Sequence, residues 1–121
     1  MERLFAVRGA VTVPEDTREH VISQTQALLK ELLGRNQIDA ERIVSIIFTA
    51  TDDIHSEFPA AAARLLGLNG IPLLCARELE VTSRLTMRLC IRVLVHFYGT
   101  EHPDPVYLGE TVRLLDPPDP A

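Results

Sequence analysis

One stretch of this chain carries apolar side chains at helical spacing, and runs suited to strands flank it. Val21, Ile22, Thr25, Leu28, Leu29, Leu32 and Leu33 share a stripe, with Arg18, Glu19, Gln26 and Lys30 opposite, which predicts an amphipathic helix packed by one face. Asp16 with Glu19 three residues on has the form of a capping box. Gly34 is placed to stop the helix, so it is expected over 16–34. Before it, Leu4-Phe5-Ala6-Val7 is a short apolar run closed by Arg8-Gly9 and reads as a buried strand. After it, Asp39 is expected to cap a single turn. Ile43-Val44-Ser45-Ile46-Ile47-Phe48-Thr49-Ala50 then has the continuous β-branched character of a strand covered on both faces. Phe58-Pro59 opens an alanine-rich helix over 60–66, ended by Gly67. Further strands are expected at 71–76, 89–97 and 112–115. The fold class is therefore α/β (or α+β), a mixed β-sheet with one long and one short helix. One long helix covers only part of one sheet face. The remaining apolar strand surface calls for a partner, and self-association is the simplest source.

Nothing divides the 121 residues into parts; 1–115 reads as a single domain and 116–121 as a proline-rich tail unable to enter a sheet interior. The basic residues are 11 Arg and one Lys against 17 acidic residues, a net charge of -5. That balance argues against nucleic acid or an anionic membrane as partner. No apolar run approaches the ~18 residues that span a bilayer, and Arg8 interrupts the N-terminal run too early for a signal peptide. Cys75 and Cys90 both lie in apolar runs, which fits a reducing cytoplasm better than a disulfide framework.

Searches for a phosphate loop, zinc-ligand spacing or a nucleophile elbow find nothing. The histidines His20, His55, His96 and His102 are scattered; His20 reads as structural and His96 as a half-buried strand histidine. What stands out is arginine among apolar neighbours. Arg92 interrupts Leu89-Cys90-Ile91-Arg92-Val93-Leu94-Val95, and a guanidinium there keeps its proton and needs an anion or several carbonyls. Arg8 ends the first run beside Gly9, which permits close approach by a ligand or by backbone. Either arginine could instead snorkel to water from an edge strand; two together favour a recessed anion site. On pattern alone Glu78 is a loop acid, Cys75 a small hydrophobe and Tyr107 a core aromatic with a wet hydroxyl.

Several motifs then fall in order: Val7-Arg8-Gly9-Ala10 with Thr12-Val13, Phe48-Thr49-Ala50-Thr51-Asp52-Asp53-Ile54-His55, Phe58-Pro59-Ala60, Ile71-Pro72-Leu73, Cys75-x-x-Glu78, Cys90-Ile91-Arg92-Val93 and Val106-Tyr107-Leu108. Together, from about residue 4 to 113, they resemble the small monofunctional chorismate mutases of the α/β-barrel class, distinct from the all-helical class. The resemblance implies a cytoplasmic homotrimer forming a pseudo-α/β-barrel, with active sites in clefts between subunits. It implies conversion of chorismate to prephenate without metal or cofactor. By the same resemblance Arg92 reaches the ether oxygen of the breaking bond and Glu78 accepts from the ring hydroxyl. Arg8 binds a substrate carboxylate and Tyr107 lies near one, while Leu74, Cys75, Phe58 and Arg64 line the cleft and its mouth.

The chemistry suits such a set. A unimolecular pericyclic rearrangement needs no nucleophile; it needs the compact conformer held and fixed charge where charge develops. The sequence departs from the family in 82–89, which is a little longer and lacks glycine. The stretch from Arg92 to Tyr107 is somewhat short, Leu115-Asp116-Pro117 stands where relatives often carry an arginine, and Ala61 replaces a basic residue of some relatives. These departures motivate a second reading, a trimeric small-anion-binding protein on the same fold with little or no catalysis. Retention of Arg8, Glu78, Arg92 and Tyr107 together favours the enzyme.

Overall fold

A computed structural model describes residues 1–82 and 87–114. Along the chain run β1 (Arg3–Thr12), α1 (Arg18–Arg35), a single 3-10 turn (Ala40–Arg42), β2 (Ile43–Ala50), α2 (Ala60–Leu65), β3 (Leu73–Arg77), β4 (Cys90–Gly99), β5 (Val106–Tyr107) and a 3-10 helix (Gly109–Leu114). The strands form one mixed sheet in the order β3-β2-β4-β1-β5. β4 is antiparallel to both β1 and β2, while β3 runs parallel to β2 and β5 parallel to β1. Four strands therefore point one way, and their carboxyl ends gather beside the start of β4.

α1 forms as the apolar stripe requires, burying Val21, Thr25, Leu28, Leu29 and Leu32. Its ends differ from expectation. Thr17, not Asp16, is the N-cap, its hydroxyl accepting from the His20 amide at 3.1 Å. Asp16 instead accepts from the amides of His55 and Ser56 and from the Ser56 hydroxyl, fastening the loop before α2. At the other end the helix passes through Gly34 and is capped by Asn36.

β1 continues through Arg8-Gly9 to Thr12 rather than ending there, because Arg8 and Gly9 occupy opposite faces of a pleated strand. Gly9 faces α1, where an added Cβ would lie 3.1 Å from Leu28 Cδ1 and from the Val106 carbonyl oxygen, and 3.2 Å from Val93 Cγ1. Its small size serves close backbone packing, not a ligand. β2 keeps the expected bounds but is covered on one face: Ile46 and Phe48 are fully buried, whereas Ser45, Ile47 and Thr49 remain half-buried. The core lies between this face and the two helices, centred on Phe48, Ile46, Ile91, Val95, Leu28 and Leu32. The strand expected at 112–115 is not formed. Val106–Tyr107 makes the fifth strand against Gly9 and Ala10, and the segment after it turns through Gly109 (φ +64°) into the 3-10 helix. Residues 115–121, and 83–86 of the long 82–89 connection, lie outside the described residues. Among the described residues no helix is long and apolar enough to cross a membrane.

Gly9→Ala should destabilise the protein by about 1–3 kcal/mol through overpacking between α1 and β5. Denaturant unfolding would measure this, and an unchanged midpoint would mean that the three neighbours give way freely.

Candidate active site

The face of the sheet turned away from the helices carries most of the expected site. Alternation places Arg8 and Ala10 of β1, Arg92 and Leu94 of β4, Ile47 and Thr49 of β2, and Leu74 of β3 on this bare face, with Tyr107 paired to Ala10. Thr49 lies directly across from Arg92 in the ladder. Glu78 follows β3, its amide donating to the Ala50 carbonyl at 3.0 Å, and this turns its carboxylate onto the same face. There Glu78 Oε2 accepts from the Thr49 hydroxyl and lies 3.4 Å from Arg92 Nε. The ion pair is not sealed: the Arg92 and Glu78 side chains remain 43% and 23% exposed. A cation and an anion are thus fixed side by side, both open to a ligand, with Arg8 and Tyr107 farther along the surface.

The remaining expected residues gather elsewhere. Cys75 sits on β3 but faces the α2 side, where it packs against the core. With Phe58, Glu57, His55 and Arg77 it lines an open cavity of about 420 Å³. Phe58 is 67% exposed at its wall. Arg77 Nη1 donates to the carbonyls of Thr51 and Ile54, at 2.6 and 2.9 Å, and steadies the loop that forms one side. Burial pushes the Cys75 thiol up, and a backbone hydrogen bond from Ala60 and the nearby Arg64 guanidinium only partly offset it. The expected residues therefore fall into two groups on opposite sides of the edge strand. Arg8, Glu78, Arg92, Tyr107 and Leu74 belong to one, and Phe58, Arg64 and Cys75 to the other.

Thr49 was not singled out in the sequence, although strand alternation from Ile47 would have put it on the bare face. His96, read as a half-buried strand histidine, places Nδ1 3.2 Å from Ser45 Oγ. Cys90, also on the bare face by alternation, is fully buried; burial drives its pKa to about 11, with the Arg92 guanidinium opposing and the Glu78 charge adding to the rise.

A mixed sheet with opposite charges fixed beside the carboxyl ends of its parallel strands belongs to the class of folds able to hold a small polar ligand by preorganised charge. The comparisons narrow that class. The family model described as chorismate mutase type I matches residues 4–116. The chain is 44% identical over 113 residues to chorismate mutase AroH of Thermus thermophilus, covering 89% of this chain and 90% of that protein. It is 39% identical over 90 residues to chorismate mutase AroH of Bacillus subtilis (strain 168), covering 74% and 69%. The solved structure of a chorismate mutase from Clostridium thermocellum, Cth-682, matches with a TM-score of 0.86 at 37% identity, over 90% of this chain and 98% of that one. The chain belongs to the type I chorismate mutase family; it is an isomerase.

The thiols give a direct check on this geometry. An alkylating reagent at pH 8 should leave Cys90 unmodified in the native protein and reach it only on unfolding, as peptide mass spectrometry would show. Rapid native labelling of Cys90 would mean that the start of β4 is open.

Proposed function

We propose that this enzyme, which as a chorismate mutase converts chorismate to prephenate in aromatic amino acid biosynthesis, works in the cytoplasm as a homotrimer with each active site shared between two subunits. One observation carries the shared site: β3 separates the bare-face residues from Phe58, Arg64 and Cys75, so a single chain does not present both halves to one substrate. A neighbouring subunit laid on the bare face would bring its α2 edge to these charges and cover Leu4 and Leu74, which are 51% and 60% exposed. Strand surface and site would be completed by the same contact.

The mechanism follows from the charges. As the ether C–O bond stretches, negative charge develops on the enolpyruvyl oxygen and the ring becomes electron-poor. Arg92 stands at the oxygen and its guanidinium stays protonated throughout. Glu78 lies on the ring side, accepting from the ring hydroxyl. Arg8 and Tyr107 hold a carboxylate, while Phe58, Leu74, Cys75 and Arg64 close the cleft and favour the compact conformer. The ion pair with Glu78 and the ladder through Thr49 preorganise Arg92 before substrate arrives, so little reorganisation accompanies the chemical step.

Arg92→Lys should keep the fold and most of the binding while lowering kcat roughly 100- to 1,000-fold, the cost of one preorganised donor at about 2.7–4 kcal/mol. Arg8→Lys should act mainly on KM, since a carboxylate keeps its charge from ground state to transition state. Steady-state kinetics with circular dichroism separate the two, and an Arg92→Lys enzyme altered in KM alone would refute the role given to Arg92. Saturable chorismate binding without turnover by the unaltered protein would select the non-catalytic reading.

Mixing Arg92→Ala subunits with Arg64→Ala subunits should restore activity at a minority of sites, those drawing each intact residue from a different chain. Light scattering gives the assembly size. A stable, active monomer would remove both the trimer and the shared site.

A further inference from the structure

The start of β4, two residues before Arg92, is held by one carboxylate. Leu89 has φ +49°, the left-handed region that bulky residues rarely enter. Its amide donates to both carboxylate oxygens of Asp53, at 3.1 and 3.0 Å. The next amide, that of Cys90, donates to Thr51 Oγ1 at 2.9 Å, and this hydroxyl donates in turn to Asp53 Oδ1 at 2.5 Å. Asp53 therefore fixes two successive amides, one directly and one through a hydroxyl whose proton it orients. Backbone bonds tie the same corner to its neighbours: Val13 N donates to Leu89 O at 2.9 Å and Thr51 N to Cys90 O at 3.0 Å. On the β2 side the ladder ends with Thr49↔Arg92 and Ala50↔Ile91. Arg92 thus sits on the last rungs, and Asp53 secures the chain just ahead of it.

We propose that Asp53 is a positioning residue for Arg92: by holding Leu89 in left-handed backbone it sets the start of β4, and with it the placement of the guanidinium. This rests on the role given to Arg92 above. No glycine lies between Val81 and Cys90, so no residue there enters this conformation without strain. The two-oxygen grip on the Leu89 amide compensates for that absence. Burial works to raise the Asp53 carboxyl, but the Thr51 hydroxyl, the Leu89 amide and the Arg88 guanidinium outweigh it and hold it below its ordinary value. The grip is therefore ionised at neutral pH.

The test is a double-mutant cycle on kcat. Asp53→Ala should lower kcat by about 10- to 100-fold with little change in KM, the scale expected when a reacting group is misplaced by about 1 Å. Asp53→Asn, which keeps one oxygen for the Leu89 amide, should recover part of the loss. In a Leu89→Gly background Asp53→Ala should cost far less, because glycine adopts the conformation unaided, and the two changes should be non-additive. An Arg92→Lys background should likewise absorb most of the Asp53→Ala effect. Circular dichroism and thermal denaturation report folding, and if Asp53→Ala does not fold, the Asp53→Asn and Leu89→Gly pair carries the same comparison. Two results overturn the inference: an Asp53 variant that loses thermal stability with kcat intact, or an equal cost in the Leu89→Gly background. An Arg92→Lys enzyme with normal kcat overturns the Arg92 role beneath it; a costly Arg92→Lys with a harmless Asp53→Ala overturns this inference alone.

Discussion

Ile46, Phe48, Ile91, Val95 and Leu28 lose all contact with water where α1 lies against the sheet. Among the described residues no helix of comparable length covers the opposite face, where Ala10 and Cys90 are buried but Leu4 and Leu74 stay exposed. Full burial of such a side chain stabilises by about 1.5–3 kcal/mol, so the helix side supplies most of the cohesion of the single chain. It could not also hold the charges. A guanidinium and a carboxylate placed among those side chains would lose their hydration at a cost that their mutual attraction need not recover. On the bare face Arg92 and Glu78 keep part of their hydration, and a ligand can take its place. The division of labour between the two faces decides where chemistry is possible.

The site's economy reflects the reaction. In the mechanism proposed for Arg92 and Glu78, bond making and breaking occur within one molecule, and the protein contributes placement and field rather than a transferred proton or a covalent bond. Such a field depends on rigidity. β4 supplies it through antiparallel neighbours on both sides, Thr49 through its hydrogen bond to Glu78, and the loop from Thr51 to Asp53 through its hold on the corner before Arg92. The polar residues around the strand ends act as fasteners for a small number of charged ones.

Much of this was legible in the amino-acid order. The stripe from Val21 to Leu33 carries its helical period openly and α1 forms there with shifted ends, while the β-branched run of β2 marks its bounds but hides that only one of its faces is covered. β1 was read too short because a single arginine resembles a stop, although alternation lets Arg8 point outward while Gly9 packs under α1. β5 has only two residues, too few for any periodicity to show, and the apolar residues of 109–114 coil into a 3-10 helix after a left-handed glycine. Arg92 and Glu78 could be picked out singly, one as a misplaced charge and the other by family resemblance. Their approach to 3.4 Å depends on the register of β2 against both neighbours, which no local pattern encodes. Asp53 and Thr51 look like ordinary turn residues until the distant Leu89 and Cys90 amides are seen to end on them.

The order of the strands in space also sets an order in time. β1 is synthesised first, yet its ladder partner β4 begins at Cys90 and its outer neighbour at Val106. For most of translation the first strand has no mate, while β2, α2 and β3 can already assemble from neighbouring sequence. Closing the sheet requires joining Thr12 to Cys90 and Gly9 to Val106, long loops whose entropy is lost before their contacts form, and chains of this topology fold slowly for that reason. Until Cys90 and the residues after it are made, β1 remains an unpaired apolar strand in the nascent chain. Early truncation would leave an aggregation-prone fragment rather than a smaller domain.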